Sequence, residues 1–178
     1  EDAIALQKHL INCSQKAIQT SDAIKRRHLL TVAIVGAGPS GVELAATLAD
    51  VVPNWYMDMG GVKQEVRIII INRGSEILSG DTNECFQKTA QEALQNRNIP
   101  VELQMNASVT KVESQRLEFE RNKQHESLEA ATIIWMTGTT THPLIESLPI
   151  ASEKRDKKGR LQVLPTLSIL IMNLTICV

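Results

Sequence analysis

Three glycines, Gly36, Gly38 and Gly41, stand in the order G-x-G-x-x-G inside TVAIVGAGPSGVELAATL, residues 31 to 48. Glycine at these spacings suits one kind of chemistry, because it lets backbone N–H groups rather than side chains approach an anion. Gly36 permits a tight turn, Gly38 lets the backbone come close to a pyrophosphate, and Gly41 lets a following helix pack close to the preceding strand. A helix opening here adds unpaired N–H groups and a partial positive charge. Pro39 and Ser40, at its start, therefore join the glycines as candidate dinucleotide-contacting residues.

Glu43 sits in the first helical turn, where the dipole favours a carboxylate but a pyrophosphate would be repelled by it. Its spacing supports two roles equally: facing the nicotinamide side of a pocket, or helping the helix to start. The end of the second strand is where an acidic residue accepts from a ribose 2′-hydroxyl, or where an arginine tolerates a 2′-phosphate. This chain places Asn72 and Arg73 there, with Glu76 four positions after Asn72, and the pair tilts the reading toward NADPH, with Arg73 as a solvated loop residue the alternative. Thr137 and Gly138 end an apolar run at what should be the carboxyl edge of a sheet, where open α/β folds place ligands.

These residues need elements to position them. TVAIVG and VRIIII, at 31 to 36 and 66 to 71, are β-branched runs of the kind a parallel strand buried on both faces requires. Between them the alanines and leucines from Pro39 to Val52 predict a helix, and VVPNWYMDMGGVKQE predicts a surface loop around Pro53, Gly60 and Gly61. Asp81 and Glu84 read as a capping pair for a helix reaching about Arg97, with Asn98 at its end and Pro100 blocking continuation. VELQM then predicts a third strand. Residues 108 to 130 alternate apolar and polar as a small antiparallel ribbon would, and ATIIWMTG returns to a buried strand with Ile133, Ile134 and Trp135 as core. The fold class expected is α/β, a three-layer Rossmann-like parallel sheet with a small antiparallel β ribbon.

Residues 2 to 19 carry Leu6, Leu10, Cys13 and Ala17 on one helical stripe. That stripe reads as a docking face with no evident partner inside the chain, an aggregation risk if left bare. At 178 residues the chain is large enough for one well-cored domain with appended pieces. A net charge of −1, with 43% hydrophobic and 22% charged residues, gives no general attraction to nucleic acid or anionic membrane. Cys13, Cys85 and Cys177 are scattered, without C-x-x-C or a histidine at ligand spacing, so no metal is expected and the thiols read as reduced and intracellular. Glu1 in place of an initiator Met reads as a piece of a longer chain, and LSILIMNLTICV at 167 to 178 is too short for a membrane span. A buried strand or an aberrant end is expected there.

TVAIVGAGPSGVELAATLAD together with ATIIWMTGTTTHPL resembles the NADH-binding domain of the type II NADH dehydrogenases, members of the two-dinucleotide-domain flavoproteins. The resemblance runs from EDAIALQKHLINCSQKA, similar to the helix that precedes that domain, to GRLQVLPTL at 159 to 167. It implies an NAD(P)H hydride passed to a bound FAD and two electrons then passed to a membrane quinone. It also implies that Gly36, Gly38 and Gly41 hold the pyrophosphate, that Glu43 lies near the nicotinamide, and that Thr137 and Gly138 line the same pocket. The lack of C-x-x-C separates the chain from the thioredoxin-reductase branch.

On this resemblance residues 1–30 are a connecting helix and linker from an absent FAD domain, 31–150 the NAD(P)H-binding domain, and 151–178 a truncated return toward the FAD domain. The FAD-binding half, a later G-D motif and the quinone- and membrane-docking segment are missing, and SILIMNLTICV resembles nothing expected in its place. The implied parent is cytoplasmic and peripherally membrane-associated, reaching quinone and membrane only through those segments. The chain alone is expected to bind NADH or NADPH without turning over, since the flavin carries the redox chemistry. Two further readings stand beside it: a dinucleotide-sensing module without redox chemistry, and a degenerate fragment. Single-domain hydroxyl dehydrogenases are set aside because the only tyrosine, Tyr56, has no lysine four residues on.

Overall fold

The structure is a computed structural model and describes residues 2–80, 83–138, 141–171 and 174–177. The chain divides into two compact units, Glu1–Thr137 and Gly138–Val178.

In the first unit, α1 (Asp2–Gln19) and α2 (Ala23–Leu29) precede β1 (Thr31–Val35), α3 (Pro39–Asp58), β2 (Arg67–Ile71), α4 (Glu84–Gln95) and β3 (Glu102–Gln104). Three antiparallel strands follow, β4 (Ala107–Glu113), β5 (Arg116–Arg121) and β6 (Gln124–Glu129), and the chain returns through β7 (Thr132–Trp135). The parallel sheet has the order β3-β2-β1-β7, with Val32 paired to Ile68 on one side and to Thr132 on the other. The central strands β1 and β2 are almost wholly apolar because both faces are covered. Val32, Ile34, Ile68 and Ile70 belong to the core under the helices, while Ala33, Val35, Ile69 and Ile71 pack with Leu117 and Phe119 of the ribbon. Helices, sheet and ribbon make the three layers expected.

The ribbon is tied to the sheet by polar contacts as well as by its apolar face. Arg121 bonds Gln104 of β3 and makes a two-pronged pair with Glu126 at 2.9 and 2.8 Å. Arg67 and Glu102 clamp β2 to β3 in the same fashion, at 2.7 and 2.6 Å.

Five expectations are corrected. The loop predicted from Val52 onward is helix as far as Asp58, running straight through Pro53. Proline lacks the N–H that would bond the carbonyl four residues back, and the Ile99 N–H supplies that bond to Ala49 from outside the helix at 3.4 Å. Burial of Val52, Pro53 and Tyr56 holds the extra turns in place. Asn83, not Asp81, caps α4, its side chain accepting from the Phe86 N–H at 2.8 Å; Asp81 lies outside the described residues. That helix ends at Gln95, short of Arg97 and Asn98.

The stripe on α1 has its partner inside the chain. Leu10, Cys13 and Ala17 are buried where α1 packs on α2 and α3, and His9 Nε2 lies 3.1 Å from both the Ala131 carbonyl and the Thr132 hydroxyl. Burial pushes the Cys13 thiol above its ordinary pKa, so it stays protonated in the core. Finally, Trp135 is not core: it is 56% exposed, at the last position of β7, while Ile133 and Ile134 are half-buried.

The second unit holds a short helix, α5 (Pro143–Ser147), capped by the His142 ring, and an antiparallel hairpin of β8 (Ser168–Ile171) and β9 (Leu174–Cys177). Residues 168–171 and 174–177 of the apolar tail are therefore strand. No helix of the described residues is long and apolar enough to cross a membrane.

Candidate functional site

The glycine turn begins where β1 ends, and both flanking strands brace it. Gly36 donates its N–H to the Ile71 carbonyl at 2.8 Å, and Val35 accepts from the Met136 N–H at 2.8 Å. Gly36 takes φ +114, a conformation that side chains rarely adopt, and a Cβ there would lie 2.9 Å from the Met136 carbonyl. Gly41 is held tighter still, with its missing Cβ only 2.1 Å from the Gly36 carbonyl oxygen. Gly38 differs from both: a Cβ on it would meet nothing within 4 Å. It is also the N-cap of α3, and no side chain caps that helix. An open space above unsatisfied N–H groups at the start of a 20-residue helix fits a phosphate group.

Residues beyond β2 clamp the turn from the other side. The Asn72 side-chain oxygen accepts the Ala37 N–H at 3.3 Å, and its amide nitrogen donates to the Gly74 and Glu76 carbonyls at 3.3 and 3.1 Å. Ala37 in turn accepts from the Leu78 N–H at 2.7 Å. The Asn72 backbone is bonded as well, to Gln104 at the end of β3 and to Ala107 at the start of β4. That pairing brings the ribbon over the carboxyl edge of the sheet.

A cleft of about 400 Å³ lies at this edge. Its floor is formed by the last residues of β1, β2 and β7, namely Val35, Ile71 and Trp135, and it reaches Gly36, Asn72, Arg73 and Thr137. In an open parallel sheet the carboxyl edge beside the first strand, where the strand order reverses, is the ligand site. Here that is the place between β1 and β7. The model of the pyridine nucleotide-disulphide oxidoreductase family matches residues 7–168, nearly the whole chain.

The chain belongs to the pyridine nucleotide-disulphide oxidoreductase family. Among its curated relatives, type II NADH:quinone oxidoreductase Ndh of Mycobacterium tuberculosis is 29% identical over 175 residues, covering 95% of this chain and 37% of that protein. Demethylphylloquinone reductase NdbB of Synechocystis sp. is 33% identical over 150 residues, covering 84% of this chain and 32% of that protein. The chain thus spans about a third of the length of these relatives. The solved structure of NDH2 from Plasmodium falciparum in complex with NADH shares the fold, with a TM-score of 0.72 at 22% identity over 92% of this chain and 33% of that one.

In this member of the pyridine nucleotide-disulphide oxidoreductase family, the cleft gathers four of the ten residues singled out from the sequence. Gly36, Asn72, Arg73 and Thr137 line it. Gly38 and Gly41 belong to the adjoining turn, with Pro39 and Ser40 exposed at the start of α3. Glu43 lines a different place, an apolar groove of about 690 Å³ between α3 and α4 that it shares with Val42 and Phe86. Gly138, at φ +83, opens the second unit. Trp135, Ser79, Ser108 and Val109 also line the cleft, and none of them was a candidate from the sequence. For Ser108 and Val109 no sequence signal exists, since only the β4 pairing brings them there. For Trp135 there was one, because a large aromatic at the final position of a buried strand sits at the sheet edge.

Proposed function

We propose that the chain is the NAD(P)H-binding domain of an FAD-dependent NAD(P)H:quinone oxidoreductase. The observation that carries this reading is the uncapped, unobstructed turn at Gly38, set at the carboxyl edge of the parallel sheet. The names of the curated relatives support the chemistry, since one is an NADH:quinone oxidoreductase and another a demethylphylloquinone reductase.

In this reading the N–H groups of the turn, from Gly38 through Ser40 and Gly41, receive the pyrophosphate, and the helix dipole adds to their attraction. Gly36 and Gly41 keep the turn closed against β7, so the phosphate meets backbone rather than side chains. The adenosine half extends toward Asn72 and Arg73 and the nicotinamide half toward Trp135 and Thr137. When bound, the nicotinamide supplies a hydride and the flavin of the whole protein accepts it before a quinone is reduced. This domain's own part is to hold the dinucleotide in place.

Calorimetric titration of the purified chain with NADH and with NADPH, after an absorbance scan for co-purified flavin, tests the reading. Saturable one-site binding by at least one nucleotide is expected. A chain that is folded by circular dichroism and binds neither would overturn it.

A further inference from the structure

We infer that the amino edge of the parallel sheet carries a second anion site, a cleft in which three arginines receive the phosphate group of a small phosphate monoester. The cleft has a volume of about 390 Å³ and is lined by Arg26 and Arg27 of α2, by Gln64 and Glu65 of the 3-10 turn Lys63–Glu65, and by Arg67, with Ile24 as an apolar wall. Arg67 is the first residue of β2 and Asn72 follows the last, so this cleft and the one beside the glycine turn stand roughly 16 Å apart, at about 3.3 Å per strand residue. The two share no lining residue.

Two of the three guanidinium groups are fixed within the chain itself. Arg67 is gripped by both oxygens of Glu102, at 2.7 and 2.6 Å, and Arg26 donates to Glu65 at 3.1 Å and to the Thr20 carbonyl at 2.8 Å. Side chains already ordered lower the entropic cost of binding, and these bonds occupy only two of the five N–H donors on each group. Arg27 is exposed, and among the described residues no carboxylate pairs with it. The one carboxylate in the lining is engaged on both oxygens, since Glu65 accepts from the Tyr56 hydroxyl at 2.8 Å as well as from Arg26. Guanidinium forks match phosphate oxygens, and a terminal phosphate offers three oxygens and two charges where a carboxylate offers two and one. The pyrophosphate of NADH, a diester with one charge on each phosphorus, lacks that terminal dianion. A cleft of this volume is of the size that takes one small ligand, and the net charge of −1 gives the chain no long-range attraction to a polyanion. Ile24, 80% exposed, offers its apolar surface to the rest of such a molecule.

The test is calorimetric titration at fixed ionic strength with phenyl phosphate, inorganic phosphate and benzoate, in the presence of excess NADH to fill the glycine turn. Phenyl phosphate and inorganic phosphate should bind saturably, and benzoate more weakly than either. Arg27→Gln, at an exposed position, should weaken both phosphates by roughly tenfold or more, the scale of one charge-assisted hydrogen bond, and leave NADH affinity unchanged. Arg27→Lys should keep part of the affinity, as a point charge without the fork. Sedimentation with vesicles containing phosphatidic acid separates the two sources of a phosphate monoester: an Arg27-dependent pellet identifies a lipid headgroup, and its absence a soluble ester. Phosphate binding that is undetectable, or that survives Arg27→Gln unchanged, would overturn the site, and benzoate binding as tightly as phenyl phosphate would overturn its assignment to phosphate; neither result touches the dinucleotide reading. Arg27-dependent phosphate binding by a folded chain that takes no nucleotide would support this site and overturn that reading.

Discussion

The Cβ that Gly41 lacks would lie 2.1 Å from the carbonyl oxygen of Gly36, so the first turn of α3 and the end of β1 touch backbone to backbone. Gly41→Ala is expected to force them apart and to lower stability by about 1–3 kcal/mol, the usual cost of overpacking. Gly38→Ala is expected to behave oppositely. Its φ of −72 suits alanine and no atom lies within 4 Å, so stability should stay within about 0.5 kcal/mol while the new methyl group enters the space for phosphate. Urea denaturation of the two variants, read beside NADH and NADPH titrations, separates the two roles.

Asn72→Ala is expected to destabilise the chain by about 1–3 kcal/mol, because the Ala37 N–H and the Gly74 and Glu76 carbonyls lose a partner together. Asn72→Asp restores the acceptor for Ala37 but turns a carboxylate toward two carbonyls, and should fall between alanine and the natural residue or below. Denaturation midpoints order the three proteins.

Much of this architecture was legible in the residues themselves, and what was not legible depended on distant partners. TVAIV and RIIII announce strands covered on both faces, and the glycine spacing announces the turn between strand and helix. Nothing in the sequence says that Ile99 serves the Ala49 carbonyl, so Pro53 read as the end of a helix that continues for another turn and more. The stripe on α1 looked bare for the same reason, since its cover comes from α2 and α3. Gly36 and Thr137, which line the cleft, were singled out by motif and position. The bracing role of Asn72 was not, although a short amide beside a glycine-containing loop is the residue type that bonds nearby backbone.

Tyr56 is expected to couple stability to pH at both ends of the scale. Its hydroxyl donates to Glu65 Oε2 at 2.8 Å, and Arg26 lies 3.1 Å from the other carboxylate oxygen. Burial first, and then the bond to Glu65, push the Tyr56 pKa up to about 12. Its folded value thus exceeds the unfolded one, and the associated stability is full below about pH 10 and lost as pH rises toward 12. Glu65 is held below its ordinary value, first by the Tyr56 hydroxyl, so its share is full above about pH 4.5 and lost as pH falls through the folded value. Tyr56→Phe should lower stability at neutral pH by about 1 kcal/mol and flatten the alkaline decline. Thermal melts from pH 3 to 11 check both.

Trp135 is expected to report on nucleotide occupancy. It is 56% exposed and lines the cleft, whereas Trp55 is half-buried on α3. NADH or NADPH should quench the intrinsic fluorescence, and Trp135→Phe should remove most of the quenching while calorimetry still detects binding. Quenching that survives this substitution would mean that the nicotinamide does not reach the end of β7.

The pairing of Val32 with both Ile68 and Thr132 bears on the order in which the protein becomes whole. Once made, strand β1 gains its neighbour β2 soon afterwards and waits for β7 until almost all of the first unit has been made. Contacts so far apart in sequence are slow to form, because the intervening chain must lose its freedom before they contribute anything. The Met136 N–H that braces Val35 comes later still. The glycine turn is thus made well before the strand that completes its surroundings, so a nascent chain passes through a stage in which the motif is complete but the cleft is not.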